Sequence, residues 1–529
     1  MRRINWSLVF WIGLVAIMFI RVFYFGFSYF NYLDDNNTYG VFFRRNGDIW
    51  NDIIMWYGLY TFRPIAFFSD AYITQWFWPR MELVLLFYTA MSFITMVLFK
   101  EVLRKSGMGF GVAGLIVCVL VPLNIEAVYW IGASTRFVPG MFFSILSCYV
   151  LVRFLDRDYN RKNLMLFLYF IFNIIATGFY EQIIVFNFVF TLIIIALNFR
   201  KLEYDRTTIV AAPFVSLVAI CAYYIAFWNH GTRLADRGAM VSEGYISHFI
   251  GTGGSIWRLL TTHNFNMIGT GFFGFFDIAI NLLQVLALAF ALIFALLCGW
   301  RLFSEEPSDN MPFIKILGGI ILAIAPFAPF FLLENNFMAF RNVYPSVFGI
   351  AMVIDGISEI ITRTRLGRMI AGFGAAIACL VFFLASITEI NNYRLIEIDD
   401  HIIAQNFLAE FSQTGFDDQG QIIVFNTRHR FTDTSREGFE NISSSDWAFL
   451  GKLNAHSEEF YFASVLPIVE AGGFNMDILT DEVLLLGMDE YMNVIQLNLR
   501  QDRQIYDRLG RAFGQLLPYE DRYIFEKFN

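Results

Sequence analysis

Residues 282–300 read LLQVLALAFALIFALLCGW and carry no charged side chain. A helix needs about 20 apolar residues to cross the ~30 Å hydrocarbon layer of a bilayer, because every backbone amide must find its partner within the segment. This run has nearly that length and lacks a charged face. It therefore predicts a helix that crosses a membrane.

Runs of this kind recur along the chain. The sequence is 57% hydrophobic, only 16% of its residues are charged, and 62 of its 529 residues are Phe, which is more apolar surface than one globular core needs. The sequence therefore predicts an all-α polytopic membrane protein with about 11 transmembrane helices. The predicted spans lie near 6–28, 81–99, 109–128, 138–153, 163–179, 183–199, 207–228, 277–300, 313–333, 343–361 and 369–390.

The loops between these runs alternate in basic content. One set of short loops holds 16 lysines and arginines, whereas the longer opposite loops hold nine. Because basic residues favour the cytoplasmic side, this asymmetry predicts a cytoplasmic N-terminus. With 11 crossings, the residues from about 392 onward are then extracytoplasmic, and the membrane is the plasma or inner membrane.

Three segments lie on the predicted outer side. The loops 31–80 and 229–276 contain amphipathic aromatic stretches, 49–57 and 256–260, that favour short helices in the membrane interface. The tail 392–529 has a helical pattern at 397–413, a strand-like 421–425 and a pattern that predicts a long amphipathic helix near 488–511. We therefore expect a transmembrane domain at 1–391 and a small α/β extracytoplasmic domain at 392–529.

Several kinds of site find no support in the sequence. All five cysteines fall inside apolar runs, which leaves the soluble parts without a disulfide framework or a thiolate zinc site. The six histidines show no metal-ligand spacing, so we assign them hydrogen-bonding roles and predict no particular metal site. The net charge of −8 and the absence of a basic stripe argue against nucleic acid as a partner.

An acidic pair, Asp34-Asp35, follows the first predicted span. A carboxylate held at the end of a rigid helix in a partly dry cleft can accept a proton from an acceptor hydroxyl. Two adjacent acids also suit a divalent metal. The alternative is that the pair is a solvated helix exit.

Four arginines are candidates for binding an anion. Arg63, Arg136 and Arg341 sit in aromatic, proline-marked contexts on the predicted outer side, which is otherwise poor in basic residues. A guanidinium grips phosphate with a planar fork, although a single interfacial arginine can also snorkel to water. Arg21 lies deeper in the first span, where it either ends the apolar segment early or faces a ligand cavity.

Other polar residues collect at the same predicted outer ends. Glu181 is the only charge in a very short hairpin between two apolar runs, so its carboxylate stays close to the membrane. Its options are to bind a sugar hydroxyl, to pair with one of the arginines, to assist a metal, or to be a plain turn residue. We list it with Glu126, Glu334 and His263 as a candidate for binding the sugar or the acceptor. The middle of the bilayer is nearly empty of ionisable groups, whereas an ion-coupled transporter places carboxylates there.

This layout resembles that of the C-type (GT-C) membrane glycosyltransferases, which include the protein O-mannosyltransferases and the lipid A aminoarabinose transferases. Four features are similar: the acidic pair after the first span, the long loops 31–80 and 229–276, and the outer C-terminal domain. The resemblance covers residues 1–390 and is one of arrangement, with weak short motifs. In this chain the two acids are adjacent, with no residue between them.

The resemblance implies a transferase that takes a sugar from a polyprenyl-phosphate carrier and passes it to an extracytoplasmic glycan, lipid or cell-envelope acceptor, with inversion. Asp34 or Asp35 is then the catalytic base, and the four arginines bind the departing phosphate. No cofactor is required, although a divalent metal is compatible with the acids. There are three competing interpretations. One is a lipid-linked sugar flippase or transporter, which Arg21, Asp355 and Glu359 keep open; the others are an O-antigen polymerase or ligase and a non-catalytic scaffold.

Overall fold

A computed structural model of the chain describes residues 5–41, 43, 63–155, 162–199, 213–214, 217–218, 221, 241, 243–304, 311–334, 338–425, 442–457, 459–468, 483–488 and 492–496. Most of these residues are helical. The predicted stretch 49–57 and nearly all of the predicted span 207–228 lie outside the described residues.

The helices are named here in chain order. They are α1 (Trp6–Val22), α2 (Pro64–Tyr72), α3 (Met81–Lys105), α4 (Val112–Leu120), α5 (Ile125–Tyr129), α6 (Ile131–Phe154), α7 (Lys162–Thr177), α8 (Glu181–Asn198), α9 (Tyr245–Arg258), α10 (Asn264–Gly274), α11 (Leu282–Ser304), α12 (Pro312–Ile324), α13 (Tyr344–Ile361), α14 (Arg365–Thr414) and α15 (Asp446–His456). Two π-helical segments, Asn36–Val41 and Leu259–His263, and several short 3-10 turns complete the helical part.

Within the described residues, seven helical segments are long and apolar enough to cross a membrane, or eight when one bent pair is taken as a single span. The seven are Pro64–Lys105, Ile131–Phe154, Glu181–Asn198, Leu282–Ser304, Pro312–Phe331, Phe340–Ile361 and Arg365–Thr414. Two shorter apolar helices, Trp6–Val22 and Asn163–Thr177, match two more of the predicted runs. The prediction of a helical protein with several apolar spans is therefore confirmed.

The third predicted span, 109–128, is not a straight helix. Its two helical parts, Val112–Leu120 and Pro122–Tyr129, meet at an angle of 44°. Pro122 has no backbone N–H and its ring collides with the preceding turn, so an α-helix cannot run through it unbent. The bend places Asn124 and Glu126 at the start of a new helical segment.

The chain divides into two compact units. Unit 1 comprises Met1–Tyr29, Trp50–Ile73 and Arg80–Ile390, and unit 2 comprises Phe30–Ile49, Thr74–Pro79 and Asn391–Asn529. The division falls inside α14, which continues from the last predicted span through the helical pattern at 397–413. Unit 2 thus includes short pieces of the first long loop as well as the tail.

Unit 2 contains a four-stranded sheet in the order β2-β1-β3-β4, where β1 is Gln421–Phe425, β2 is Ser464–Ile468, β3 is Val483–Met488 and β4 is Val494–Gln496. The strands β2, β1 and β3 are parallel, and β4 is antiparallel to β3. The predicted strand 421–425 is confirmed. The helix predicted near 488–511 is wrong for its described residues, because 488 ends a strand and 494–496 form another.

Close helix crossings in unit 1 depend on glycine. A Cβ atom built on Gly349 in α13 would overlap the backbone nitrogen of Ala323 in α12, and one built on Gly319 would lie 2.8 Å from the carbonyl oxygen of Gly349. Small residues let two helix backbones approach in this way.

Replacing Gly349 with alanine is therefore expected to lower the free energy of unfolding by about 1–3 kcal/mol, because the added methyl forces α12 and α13 apart. Thermal unfolding of the purified chain in detergent measures the effect. Gly374 in α14 is the matched control, since a Cβ there meets no atom within 4 Å. Equal melting temperatures for the two variants would contradict the close crossing.

Candidate functional site

Arg63 and Glu181 form a two-pronged ion pair in unit 1. Nε of Arg63 donates to Oε2 of Glu181 at 2.9 Å, and Nη2 donates to Oε1 at 2.6 Å. The backbone brings them together because the N–H of Ile65 donates to the carbonyl of Gly178 in the short turn before α8. The guanidinium also lies 4.0 Å from the centre of the Tyr180 ring. Both predicted residues thus belong to one fixed cluster.

Arg341 and Glu126 form a second pair. Nη1 of Arg341 donates to Oε1 of Glu126 at 2.6 Å, and its guanidinium lies 4.8 Å from the centre of the Trp130 ring. Glu126 is in the first turn of α5, directly after the bend at Pro122. Its side chain is 6% exposed, so this is a largely desolvated pair.

An amide network joins the two pairs. Nδ2 of Asn342, the residue after Arg341, donates to the hydroxyl of Tyr180 at 3.3 Å and to Oε1 of Gln182 at 3.0 Å. Nε2 of Gln182 donates back to the carbonyl of Asn342 at 3.1 Å. Arg136 interacts electrostatically with Glu181. The structure therefore brings together Arg63, Arg136, Arg341, Glu126 and Glu181, and we call these five residues the arginine cluster.

Arg21 is fully buried inside unit 1. Its Nη1 donates to Oδ1 of Asn124 at 3.4 Å, while Nε and Nη2 have no hydrogen-bond partner among the described residues. It also interacts electrostatically with Tyr344, whose hydroxyl lies 3.0 Å from the Ser92 hydroxyl. Since arginine keeps its proton in proteins, Arg21 is a buried cation with two of its three nitrogens unused in the described part of the chain.

Two other candidates lie apart from this cluster. Glu334 is exposed at the end of the 3-10 segment Ala325–Phe331, with no hydrogen bond in the described part of the chain. His263 is exposed at the end of the π-helical segment Leu259–His263. Neither contacts the arginine cluster in the described residues, although single-turn π segments are frequent at functional sites.

The acidic pair lies in unit 2, and its two members differ. Asp35 is fully buried, and its Oδ2 accepts a hydrogen bond from the backbone N–H of Tyr32 at 3.0 Å. Asp34 is partly exposed, and its carboxylate has no hydrogen bond or ion pair in the described residues. Leu33, just before the pair, has a φ of 34°, which is rare for a residue with a side chain.

The turn that carries the acids is held by the rest of unit 2. The ring centres of Tyr32 and Tyr393 in α14 are 5.3 Å apart. After Asp35 the chain enters the π-helical segment Asn36–Val41, which packs against α15. Asn36 in this segment is fully buried, and neither polar atom of its side-chain amide has a hydrogen-bond partner within the described ranges.

The described residues offer no candidate metal site. They contain no group of three or more His, Cys, Asp or Glu side chains with the geometry to hold an ion. The acid pair by itself supplies two carboxylates of different burial. We therefore derive no step through a metal.

The structure also contains an ionic cluster that sequence reasoning did not pair. Lys315 in α12 is fully buried, and its Nζ lies 2.8 Å from Oδ2 of Asp355 and 2.5 Å from Oε1 of Glu359, both in α13. The other oxygen of Asp355 accepts the backbone N–H of Gly111 at 2.9 Å, before α4. The spacing of Asp355 and Glu359, one helical turn apart, was the available signal.

His456, at the end of α15 in unit 2, has a lowered pKa. Burial lowers its pKa to about 4, and the positive charge of Lys452 acts in the same direction. The unfolded imidazole titrates near 6.5. Between about pH 6.5 and 4 the unfolded chain therefore binds more protons than the folded one, and stability falls as the pH is lowered through this range.

We accordingly expect the melting temperature of the wild-type chain to fall between pH 7.5 and pH 4.5 more steeply than that of a His456→Gln variant. Scanning fluorimetry in detergent across this range measures both slopes. His263→Gln provides the control, because His263 is exposed and lies in unit 1. Parallel curves for the wild type and His456→Gln would contradict the assignment.

Comparison of the chain with protein-family models, curated proteins and solved structures found no match.

Proposed function

We propose that this chain is a membrane glycosyltransferase that moves a sugar from a polyprenyl-phosphate carrier to an extracytoplasmic glycan, lipid or cell-envelope acceptor, with inversion. The observation that carries the proposal is the difference between the two acids. Asp35 is buried and occupied by the backbone, whereas Asp34 is partly exposed with no partner in the described residues. A general base needs a carboxylate that can reach the proton it removes.

In the proposed reaction the acceptor hydroxyl attacks the anomeric carbon of the donor sugar. A new C–O bond forms, the bond from the anomeric carbon to the phosphate oxygen breaks, and its electron pair leaves on the lipid phosphate. The hydroxyl proton goes to Asp34. Attack opposite to the departing phosphate inverts the anomeric configuration.

The arginines are proposed to stabilise the charge that grows on the phosphate. A guanidinium placed in advance lowers the barrier, since its interaction is stronger in the transition state than in the ground state. Arg63 and Arg341 are each neutralised by a glutamate at 2.6 Å. Arg136, which interacts electrostatically with Glu181, and the buried Arg21 add two further guanidiniums in unit 1. Glu126 and Glu181 serve mainly to orient their arginines.

The ionic cluster in the spans bears on the transporter alternative. Asp355 and Glu359 both bind Lys315, and Asp355 also accepts backbone N–H groups at the start of α4. Groups that are held in this way are poor candidates for a hydrophilic transport path. This supports the transferase over the flippase.

The test is sugar transfer by the full chain in liposomes. Radiolabelled polyprenyl-phosphate sugar and a cell-envelope extract are supplied, and the anomeric configuration of the product is read by NMR. We expect transfer with inversion from the monophosphate donor. Movement of the labelled lipid across the bilayer without transfer would replace the proposal with the flippase. Transfer from a polyprenyl diphosphate donor alone would replace it with the polymerase or ligase.

A further inference from the structure

Unit 2 has a cluster of side chains that the proposed chemistry does not use. It consists of Trp78, His401, Gln405 and His456, which we call the imidazole patch. The His401 and His456 ring centres are 6.2 Å apart, and the His456 and Trp78 ring centres are 6.1 Å apart. His401 and Gln405 are exposed, and Trp78 and His456 are half-buried. The patch therefore reaches the surface of the unit.

The backbone fixes Trp78 in this position. A Cβ atom built on Gly40 would lie 2.8 Å from Cζ2 of Trp78 and 2.5 Å from Cβ of Ala455 in α15. Only glycine allows the indole, the π-helical segment Asn36–Val41 and α15 to approach so closely. Gly40 is five residues after Asp35, roughly 8 Å along a helical path. The patch is thus connected to the acidic pair through a single helical segment.

Hydrogen bonds determine which ring nitrogen of His401 and of His456 can donate to a ligand and which can accept from one. Nε2 of Gln405 lies 2.8 Å from Nε2 of His401, and an amide nitrogen can only donate, so His401 accepts there and carries its proton on Nδ1. Nδ1 of His456 lies 3.0 Å from the carbonyl oxygen of Lys452, which can only accept, so His456 keeps Nε2 as an acceptor. The patch offers one N–H donor and one nitrogen acceptor.

The charged groups beneath His456 are paired with one another. Lys452, beneath His456, is fully buried and is held by both oxygens of Glu397 at 2.9 Å. Burial also lowers the pKa of His456 to about 4, which keeps its imidazole neutral. A charged ligand would therefore meet a cation, Lys452, that is already paired with Glu397. A ligand with an apolar face and hydroxyl groups fits an aromatic ring flanked by a donor and an acceptor.

We propose that the imidazole patch binds a neutral oligosaccharide, with a sugar ring against Trp78 and its hydroxyls on His401 and His456. The inference rests on the proposed function, in which this saccharide is the non-reacting part of the acceptor. When the saccharide binds away from the reacting hydroxyl, it orients the acceptor. A transferase needs this orientation as much as it needs a general base.

The test measures binding without a donor lipid, using the full chain in nanodiscs with cellotetraose, chitotetraose and maltotetraose as probes. Saturation-transfer NMR is expected to show contact with at least one of them. Trp78→Ala should weaken that affinity at least ten-fold, and His401→Ala at least five-fold. Trp447→Ala is the matched control. Trp447 is an exposed tryptophan on α15, the helix that carries His456, but it lies outside the patch.

Two further variants keep the outcome interpretable. Trp78→Phe retains an aromatic ring against Gly40 and should recover part of the affinity lost in Trp78→Ala. Asp34→Asn should bind the oligosaccharide like the wild type. If the wild-type chain binds the oligosaccharide but transfers no sugar, the proposed function is wrong and the patch proposal stands. The patch proposal is overturned if none of the probes binds, or if His401→Ala and Trp78→Ala, both folded by size-exclusion chromatography, bind as tightly as the wild type.

Discussion

Replacing Asp34 with asparagine is expected to lower the rate of sugar transfer by about 10²–10⁴-fold, the usual contribution of a general base. Asparagine has the same shape, but its amide cannot accept the proton of the attacking hydroxyl. The side chain has no partner in the described residues, so the fold should not depend on its charge. Single-turnover transfer from radiolabelled polyprenyl-phosphate sugar in liposomes measures the rate.

Asp35→Asn is the control. In this variant we expect the stability of the fold to fall, whereas in Asp34→Asn we expect it to stay constant. Asp35 is fully buried and accepts the backbone N–H of Tyr32 at 3.0 Å, so its substitution disturbs the turn that presents Asp34. Asparagine keeps an acceptor oxygen for this bond but loses the charge, and the change from a charged to a neutral hydrogen bond costs about 1 kcal/mol of stability. A melting temperature that falls for Asp35→Asn but stays constant for Asp34→Asn would match the assignment. Full transfer by Asp34→Asn would remove Asp34 as the base.

The apolar helices were predictable because their signal is local. A run such as 282–300 must be helical in a bilayer whatever its neighbours are, and α11 follows it as Leu282–Ser304. The strand Gln421–Phe425 was equally clear, since five residues rich in Ile and Val form the centre of the sheet. The helix predicted near 488–511 is wrong for its described residues, because β4 pairs with β3, a contact that its own sequence does not encode.

The pairing of the candidate residues could not be predicted from the sequence. Arg63 and Glu181 are 118 residues apart, and Arg341 and Glu126 are 215 apart, so no local pattern shows that they meet. Asp34 and Asp35 are adjacent residues of the same type, so the sequence does not distinguish them. Only the hydrogen bond from Tyr32 and the burial of Asp35 separate their roles.

Lys315→Met is expected to lower the free energy of unfolding by about 3–5 kcal/mol, the cost of breaking a buried ion pair from one side. Lys315 is fully buried between Asp355, which is 2% exposed, and Glu359. Methionine fills a similar volume but leaves two carboxylates without their cation. Thermal or denaturant unfolding in detergent measures the loss.

Lys105→Met is the matched control, because its Nζ lies 3.8 Å from Glu101 in a more exposed pair, which should contribute less than about 1 kcal/mol. Adding Glu359→Gln to Lys315→Met removes one of the two stranded charges and should restore part of the stability. Asp355 can keep its charge in the double variant, since the N–H groups of Gly111 and Gly114 still point at its carboxylate. Unchanged stability of Lys315→Met would mean that the cluster does not hold α4, α12 and α13 together, and Asp355 and Glu359 would again be candidates for transport.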